Sequence, residues 1–191
     1  MPAPATTPLA RLPHGPTALL LITALAATLA CQHMRHQDDT FAWESLKILK
    51  AMAPTPPQPC QYHQTPFSFP DTLLRNNHPQ QAADLAGHIL HNLFDILSRP
   101  RIPQHWDVKA QHDLLNSLDH YIHHLEHCMP ANTTLIKRQG PRNLVLSLNK
   151  YFKRIRDFLH THSHSACAWD YIRLEARTCF QHLDMLIRQM K

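Results

Sequence analysis

The sequence predicts an all-α protein, folded as one bundle of five helices. Apolar residues recur with the 3.6-residue period of amphipathic helices in five segments. Prolines, which do not suit a helix interior, mark the gaps between these segments. No run alternates apolar and polar residues for long enough to indicate a β-strand. Because 191 residues can bury one core but are few for two, we expect a single folded domain.

The first 30 residues are predicted to be a secretory signal peptide. Arg11 is the only Lys, Arg, Asp or Glu in them, and the apolar run Ala18 to Leu29 ends next to small residues. This run is about a dozen residues long, whereas a membrane-spanning helix needs about 20. We therefore expect cleavage after Ala30, a secreted domain over residues 31–191, and no membrane insertion of the mature chain.

The first helix is expected from about Thr40 to Met52, with Asp39 or Thr40 as its cap. After it, residues 53–77 contain six prolines and are expected to form a connection. A connection of that length is unusual in a compact domain. It would allow the first two helices to run in the same direction, although periodicity alone does not distinguish this topology from an up-down-up-down bundle.

The other four helices are delimited in the same way. Pro79 suits the first turn of the second helix, where its missing N–H is not needed, and Pro100 closes that helix. The third is expected from about Asp107 to Met129, just before Pro130. The fourth is expected from Pro141 to Leu159 and the fifth from about Ala168 to Met190, with a break over residues 160–166.

Composition argues against catalysis and against a nucleic-acid partner. The net charge of +5 is mildly basic, and its cations are spread along the chain apart from two local clusters, Lys137–Arg142 and Lys150–Arg156. We interpret both clusters as solvated faces rather than polyanion sites. With only three glycines, the chain has no phosphate-binding loop and no nucleophile elbow, and we expect no cofactor and no enzymatic activity.

The five cysteines lie after the predicted signal peptide, at positions Cys31, Cys60, Cys128, Cys167 and Cys179. An odd number in an oxidising compartment predicts two disulfides and one free thiol, but the spacing does not say which cysteines pair. Cys179 lies on the apolar stripe of the last helix, which predicts a buried and inert thiol.

The segment Asn132-Thr133-Thr134 is a sequon for N-glycosylation in a predicted surface loop. We expect a glycan on Asn132 in a secreted protein made by a eukaryotic cell.

Seventeen histidines raise the possibility of a metal site. His123-His124-Leu125-Glu126-His127 fits the H-x-x-E-H pattern of inverted zinc proteases. One short match arises easily by chance in a histidine-rich chain, and a small bundle lacks the scaffold of such enzymes, so we expect no catalytic metal. Weak zinc binding remains an alternative to a solvated face. Its candidate ligands are His120, His123, His124 and His127, or His160, His162 and His164.

One block in the carboxyl-terminal half resembles a family signature. Tyr151-Phe152, Ile155 and Phe158-Leu159, then seven residues and Cys167-Ala168-Trp169, resemble the signature of the type I interferons. Phe67-Ser68-Phe69-Pro70 is similar to the aromatic-x-Phe-Pro element of their first long loop. The histidine-rich character and Gly140-Pro141-Arg142-Asn143-Leu144 make avian alpha interferons the most similar members.

The resemblance implies a fold and a disulfide pattern. Helices one, two, three and five would form an up-up-down-down cytokine bundle with long crossover loops, and helix four would lie within the second crossover. Cys31 would pair with Cys128 and Cys60 with Cys167, which leaves Cys179 as the spare thiol. Another helical cytokine, such as a type III interferon or a growth-hormone-like factor, is the alternative that the block from Tyr151 to Trp169 disfavours.

The resemblance also implies a function: binding to the two chains of the alpha/beta interferon receptor and induction of an antiviral state. The high-affinity face of the family maps to Gln61, Gln64, Arg173, Leu174, Arg177, Thr178 and Gln181. The opposite face maps to Asn92, Asn149 and Lys150. Arg173 is the foremost candidate, because arginine is a rigid multidentate donor; the alternative for it is an intramolecular partner such as Asp170. We assign Trp169 to the core.

Overall fold

The computed structural model describes residues 40–53, 67–75, 78–128 and 142–190, and within these ranges no residue lies in a β-strand. All five expected helices are present, which confirms the all-α class. Their bounds are α1 Phe41–Met52, α2 Pro79–Leu97, α3 Val108–Cys128, α4 Arg142–Thr161 and α5 Ala166–Gln189. A short 3-10 helix, Asp71–Leu74, lies in the connection between α1 and α2.

The break between α4 and α5 is shorter than the sequence predicts. Ser163 and His164 have positive φ angles of 51° and 54°, which reverse the chain within four residues. The amide of His164 donates to the Leu159 carbonyl at 2.8 Å and that of Ser163 to the His160 carbonyl at 3.0 Å, the hydrogen-bond pair of a Schellman motif. The Ser165 hydroxyl then accepts from the Ala168 amide at 3.2 Å, so α5 begins at Ala166 with a side-chain cap.

Helix α1 runs antiparallel to α3. At the start of α1, Phe41 stacks on Tyr121 from the second half of α3, with ring centroids 3.9 Å apart. At the end of α1, the Met52 carbonyl accepts from the Asp107 amide, which directly precedes α3, at 2.7 Å.

The ends of α1 and α2 meet the starts of α3 and α5. Gln111, near the start of α3, donates through Nε2 to the carbonyl of Leu97 at the end of α2, at 2.8 Å. The Trp169 indole N–H, near the start of α5, donates at 2.5 Å to the carbonyl of Arg101, just beyond α2. Arg173 donates to the carbonyl of Ala53, just beyond α1. These contacts confirm the up-up-down-down topology, and we call this region the Trp169 end of the bundle.

Helix α4 lies outside this four-helix arrangement and packs against α2 and α5. It is antiparallel to α5, since Tyr151 contacts Cys179 whereas Phe158 contacts Tyr171, earlier in α5. This position is the one expected of a helix within the second crossover.

The core is apolar and continuous across all five helices. Trp169 is fully buried in it, as predicted, and forms an edge-to-face contact with Trp106 at 5.4 Å. Both Tyr151 and Phe152 are buried, although they are adjacent in α4. None of the described helices is long and apolar enough to cross a membrane.

The structure tests only some of the cysteine predictions. Cys179 is buried and free, and Cys167 is disulfide-bonded. Cys31 and Cys60 lie outside the described residues, as do the predicted signal peptide and Asn132, and the side chain of Cys128 is not described. The pairing of the four cysteines therefore stays a prediction.

Candidate functional site

The outer face of α5 carries four of the ten predicted receptor residues. Leu174, Arg177 and Gln181 are all exposed, and their spacing of three and four residues aligns them along one side of the helix. Leu174 is an apolar side chain with 40% of its surface exposed. Thr178, between them, donates its hydroxyl to the Leu174 carbonyl at 3.4 Å. The structure thus brings these four residues together on one surface, which we call the α5 face.

Met185 extends the α5 face and was not among the predicted residues. Its side chain is 41% exposed and lies one helical turn beyond Gln181. The signal that could have identified it is the same helical spacing, because residues 174, 181 and 185 share one side. Leu174 and Met185 are thus two exposed apolar side chains on the same side of α5, about three turns apart.

Arg173 has a different environment from its neighbour Leu174. Its side chain is only 12% exposed. Its Nη1 donates to the Ala53 carbonyl at 2.6 Å, and its Nε lies 3.9 Å from the carboxylate of Asp170. Arg173 therefore has partners within the molecule, as the alternative prediction stated, and Asp170 is one of them. A direct role of Arg173 in receptor binding stays a prediction.

The end of the first long loop packs against α4 and α5 beside the α5 face. Phe67 meets Phe158 edge to face at 5.2 Å, and Phe69 meets Tyr151 in the same way at 5.2 Å. Phe69 also stacks on His182, with centroids 4.0 Å apart. The described end of this loop therefore lies directly against the last helix. Gln61 and Gln64, which the resemblance assigns to this loop, lie outside the described residues.

Two backbone anchors complete the attachment of this loop segment, residues 67–75. Arg154 of α4 donates to the Ser68 carbonyl at 3.4 Å. Gln189, at the end of α5, donates to the Leu74 carbonyl at 2.9 Å. The segment thus follows α5 away from the Trp169 end.

A buried polar cluster of Tyr151, Glu175 and Cys179 lies next to the loop segment, because Phe69 packs on the ring of Tyr151. The Tyr151 hydroxyl donates to the Glu175 carboxylate and lies 3.2 Å from Cys179 Sγ. Burial raises the pKa of Tyr151 far above its ordinary value and raises the pKa of Cys179 to about 12. Burial also raises the pKa of Glu175, and the Tyr151 hydrogen bond only partly offsets this. Cys179 is buried and free, as predicted, and its raised pKa favours the protonated thiol at neutral pH. Its lack of reactivity stays a prediction.

The second predicted face lies on α2 and α4. Asn149 and Lys150 are exposed on α4, at adjacent positions. Asn92 of α2 is half-buried and is engaged within the molecule: it donates to the His88 carbonyl at 2.8 Å and accepts from Arg156 at 2.9 Å. The structure thus leaves Asn149 and Lys150 accessible, whereas Asn92 links α2 to α4.

The histidines that the structure describes do not converge on a metal site. Within the described ranges, no group of three or more His, Cys, Asp or Glu side chains is arranged to hold an ion. His127 Nδ1 is hydrogen-bonded to the carbonyl of His123 at 2.8 Å, and their ring centroids are 6.1 Å apart. The zinc hypothesis therefore has no support from the structure.

Solved structures of similar fold define the class of protein. Zebrafish interferon 1 matches with a TM-score of 0.63 at 20% sequence identity, covering 79% of this chain and 94% of its own. Zebrafish interferon 2 matches with a TM-score of 0.64 at 18% identity, covering 76% and 96%. Five helices in this topology are the fold of a helical cytokine.

Sequence comparison narrows the class to a family. The interferon alpha/beta domain model matches residues 34–190. The chain is 49% identical to interferon type B of Gallus gallus over 93% of its own length and 88% of the relative's. It is 45% identical to an interferon of Meleagris gallopavo, over 90% of each chain, and 44% identical to interferon type A1/A2 of Gallus gallus, over 87% of each. The protein therefore belongs to the interferon alpha/beta family, whose members are cytokines and not enzymes.

Proposed function

We propose that the mature chain is secreted and acts by binding both chains of the alpha/beta interferon receptor. Bridging them would bring their cytoplasmic kinases together and induce an antiviral state. Family membership supports this function. The observation that carries it is the α5 face, where an exposed leucine lies between polar side chains beside a docked loop. An apolar centre with a polar rim is the usual composition of a protein interface.

The α5 face is proposed to bind the high-affinity receptor chain. Leu174 would supply apolar contact, and Arg177 and Gln181 would supply directional hydrogen bonds around it. Asn149 and Lys150 on α4 are proposed to bind the second chain. Because that chain is confined to the same membrane once the first is bound, its contact can be weak and still form.

Reciprocal substitutions test this assignment. In surface plasmon resonance with each receptor ectodomain, L174A and R177A should weaken binding to the first chain by about tenfold, the effect of roughly 1.4 kcal/mol. Neither should change binding to the second chain. N149A should do the reverse and serves as the matched control. Signalling that persists while antibodies block both receptor chains would contradict the proposal.

We also propose the disulfides Cys31–Cys128 and Cys60–Cys167 and a glycan on Asn132. The bonded state of Cys167 and the free state of Cys179 are compatible with this pairing. Peptide mapping without reduction should recover both linked peptide pairs, and glycosidase treatment should increase the gel mobility of protein made in eukaryotic cells. Recovery of a Cys31–Cys60 peptide, or unchanged mobility, would contradict the corresponding part.

A further inference from the structure

His182 lies at the border between the α5 face and the docked loop. Its ring stacks on Phe69 with an interplanar angle of 25°, and Phe69 in turn contacts Tyr151. The residue directly before His182, Gln181, is exposed and belongs to the proposed receptor surface. The stack between His182 and Phe69 is therefore one of the contacts that hold the loop segment beside the proposed receptor surface.

The stacked ring is in a position that suits a neutral imidazole. Its Nδ1 is buried and has no hydrogen-bond partner among the described residues. In the neutral ring this atom can be the unprotonated nitrogen, with the proton on Nε2. Protonation would place an N–H group at Nδ1, and a buried donor without an acceptor is costly.

The charged and titratable groups around His182 act in both directions. Burial lowers the pKa of His182, and the negative charge of Asp71 in the 3-10 helix partly offsets this by favouring the cation. On α4, Tyr151 contacts the other side of Phe69, and the cationic Arg154 binds the same loop segment through Ser68. On α5 itself, Cys179 lies one turn before His182. Because burial outweighs the charge of Asp71, the pKa of His182 is lowered and the neutral imidazole is favoured.

We propose that His182 is a positioning residue of the receptor surface: its neutral ring holds residues 67–75 against α5 at extracellular pH, and its protonation at endosomal pH releases this segment and weakens receptor binding. The proposal rests on the receptor-binding function given above. As the pH falls through about 6.5, the released ring takes up a proton and the docked ring does not. The docked state therefore loses stability on acidification until the docked ring is itself protonated.

Two measurements on the full mature protein at pH 7.4 and pH 5.5 test the proposal. Hydrogen exchange, corrected for the intrinsic effect of pH, reports the docking of residues 67–75. Surface plasmon resonance reports affinity for the receptor chain that binds the α5 face. For the wild-type protein, exchange of the segment should rise and affinity should fall on the order of fivefold at pH 5.5.

Variants separate the role of His182 from other effects of acid. H182F keeps an aromatic ring against Phe69 but cannot be protonated, so both measurements should be the same at the two pH values. H182Q loses the stack, so the segment should exchange rapidly at both. D71N removes the charge that favours the docked cation and should enlarge the response to pH. H91Q is the matched control: His91 is exposed, contacts Glu126 and should leave the wild-type response unchanged.

Two results would overturn the proposal: a wild-type segment equally protected at both pH values, or an H182F variant that responds to pH as the wild type does. If neither the wild type nor any variant binds the receptor chain at pH 7.4, the proposed receptor function is wrong. The proposed effect of His182 protonation on receptor binding is then wrong as well. The exchange data alone would then decide whether His182 holds the segment.

Discussion

The Trp169 end of the bundle and the loop segment 67–75 share one kind of contact and differ in another. At the Trp169 end, the side chains of Trp169 and Arg173 donate to backbone carbonyls of other elements. The loop segment has the same kind of anchor, since Arg154 donates to Ser68 and Gln189 to Leu74. The loop segment has in addition the stack of Phe69 on the imidazole of His182, and histidine is the side chain whose ordinary pKa lies between pH 5 and pH 8. The comparison places the pH-dependent contact proposed above on the loop segment rather than on the hydrogen bonds of the Trp169 end.

The largest expected effect is that of W169A at the Trp169 end. The substitution removes a fully buried indole, its hydrogen bond to Arg101 and its contact with Trp106. The free energy of unfolding should fall by about 3–5 kcal/mol in chemical denaturation. W43A is the matched control, because Trp43 is 58% exposed with Lys47 over its ring. It should cost less than about 1 kcal/mol; equal losses would remove the distinction between the two tryptophans.

The second-largest effect is expected for R173A. It distinguishes a structural role of Arg173 within the bundle from direct contact with the receptor. R173A removes the charge-assisted hydrogen bond to Ala53 and should lower the free energy of unfolding by about 2 kcal/mol. R177A, on the exposed α5 face, should change it by no more than about 0.5 kcal/mol while weakening receptor binding. If R173A leaves stability unchanged and abolishes binding, Arg173 contacts the receptor directly.

A smaller and more local effect is expected for F69A. It removes the contacts of Phe69 with Tyr151 and His182, each worth about 0.5–1.5 kcal/mol. Protection of residues 67–75 in hydrogen exchange should fall, whereas protection in α2 and α3 should stay as it is. F69L keeps apolar volume but has no ring. Its protection of residues 67–75 should lie between that of the wild type and that of F69A. Global destabilisation by F69A would show that the loop segment belongs to the same cooperative unit as the bundle.

The smallest effect is expected for E175Q, a substitution in the buried polar cluster next to the loop segment, and it concerns the pH dependence of stability. Because the pKa of Glu175 is raised, the folded state keeps a proton that the unfolded state releases, and the free energy of unfolding falls as the pH rises above the ordinary value of 4.5. The amide oxygen of glutamine can still accept from Tyr151. E175Q should therefore remove this contribution to the pH dependence and be at least as stable at pH 7.

Denaturation of E175Q across pH 4 to 8 measures the effect. E126Q provides the control, since Glu126 is exposed and contacts only the exposed rings of His91 and His123 in the described structure. An E175Q curve parallel to the wild-type curve would show that burial of Glu175 does not influence stability in this range.

The helices were predictable because their signals are local. The 3.6-residue period and the prolines predicted all five helices, with ends that differ by a few residues from those observed. The burial of both Tyr151 and Phe152 was not predictable from a single apolar stripe, because α4 packs against both α2 and α5 and therefore buries two adjacent side chains. The stack of Phe41 on Tyr121 was missed for a related reason: it depends on which helices are neighbours.

The sequence by itself determined the helical segments, which follow from residue types and short spacings. Its resemblance to the type I interferons implied the family and the placement of Leu174, Arg177 and Gln181 on one receptor face. Only the tertiary structure decided that Arg173 turns inward to Ala53, 120 positions away, and that His182 supports Phe69. Such contacts depend on which helix end or loop comes to lie beside a side chain, and no local pattern encodes that arrangement.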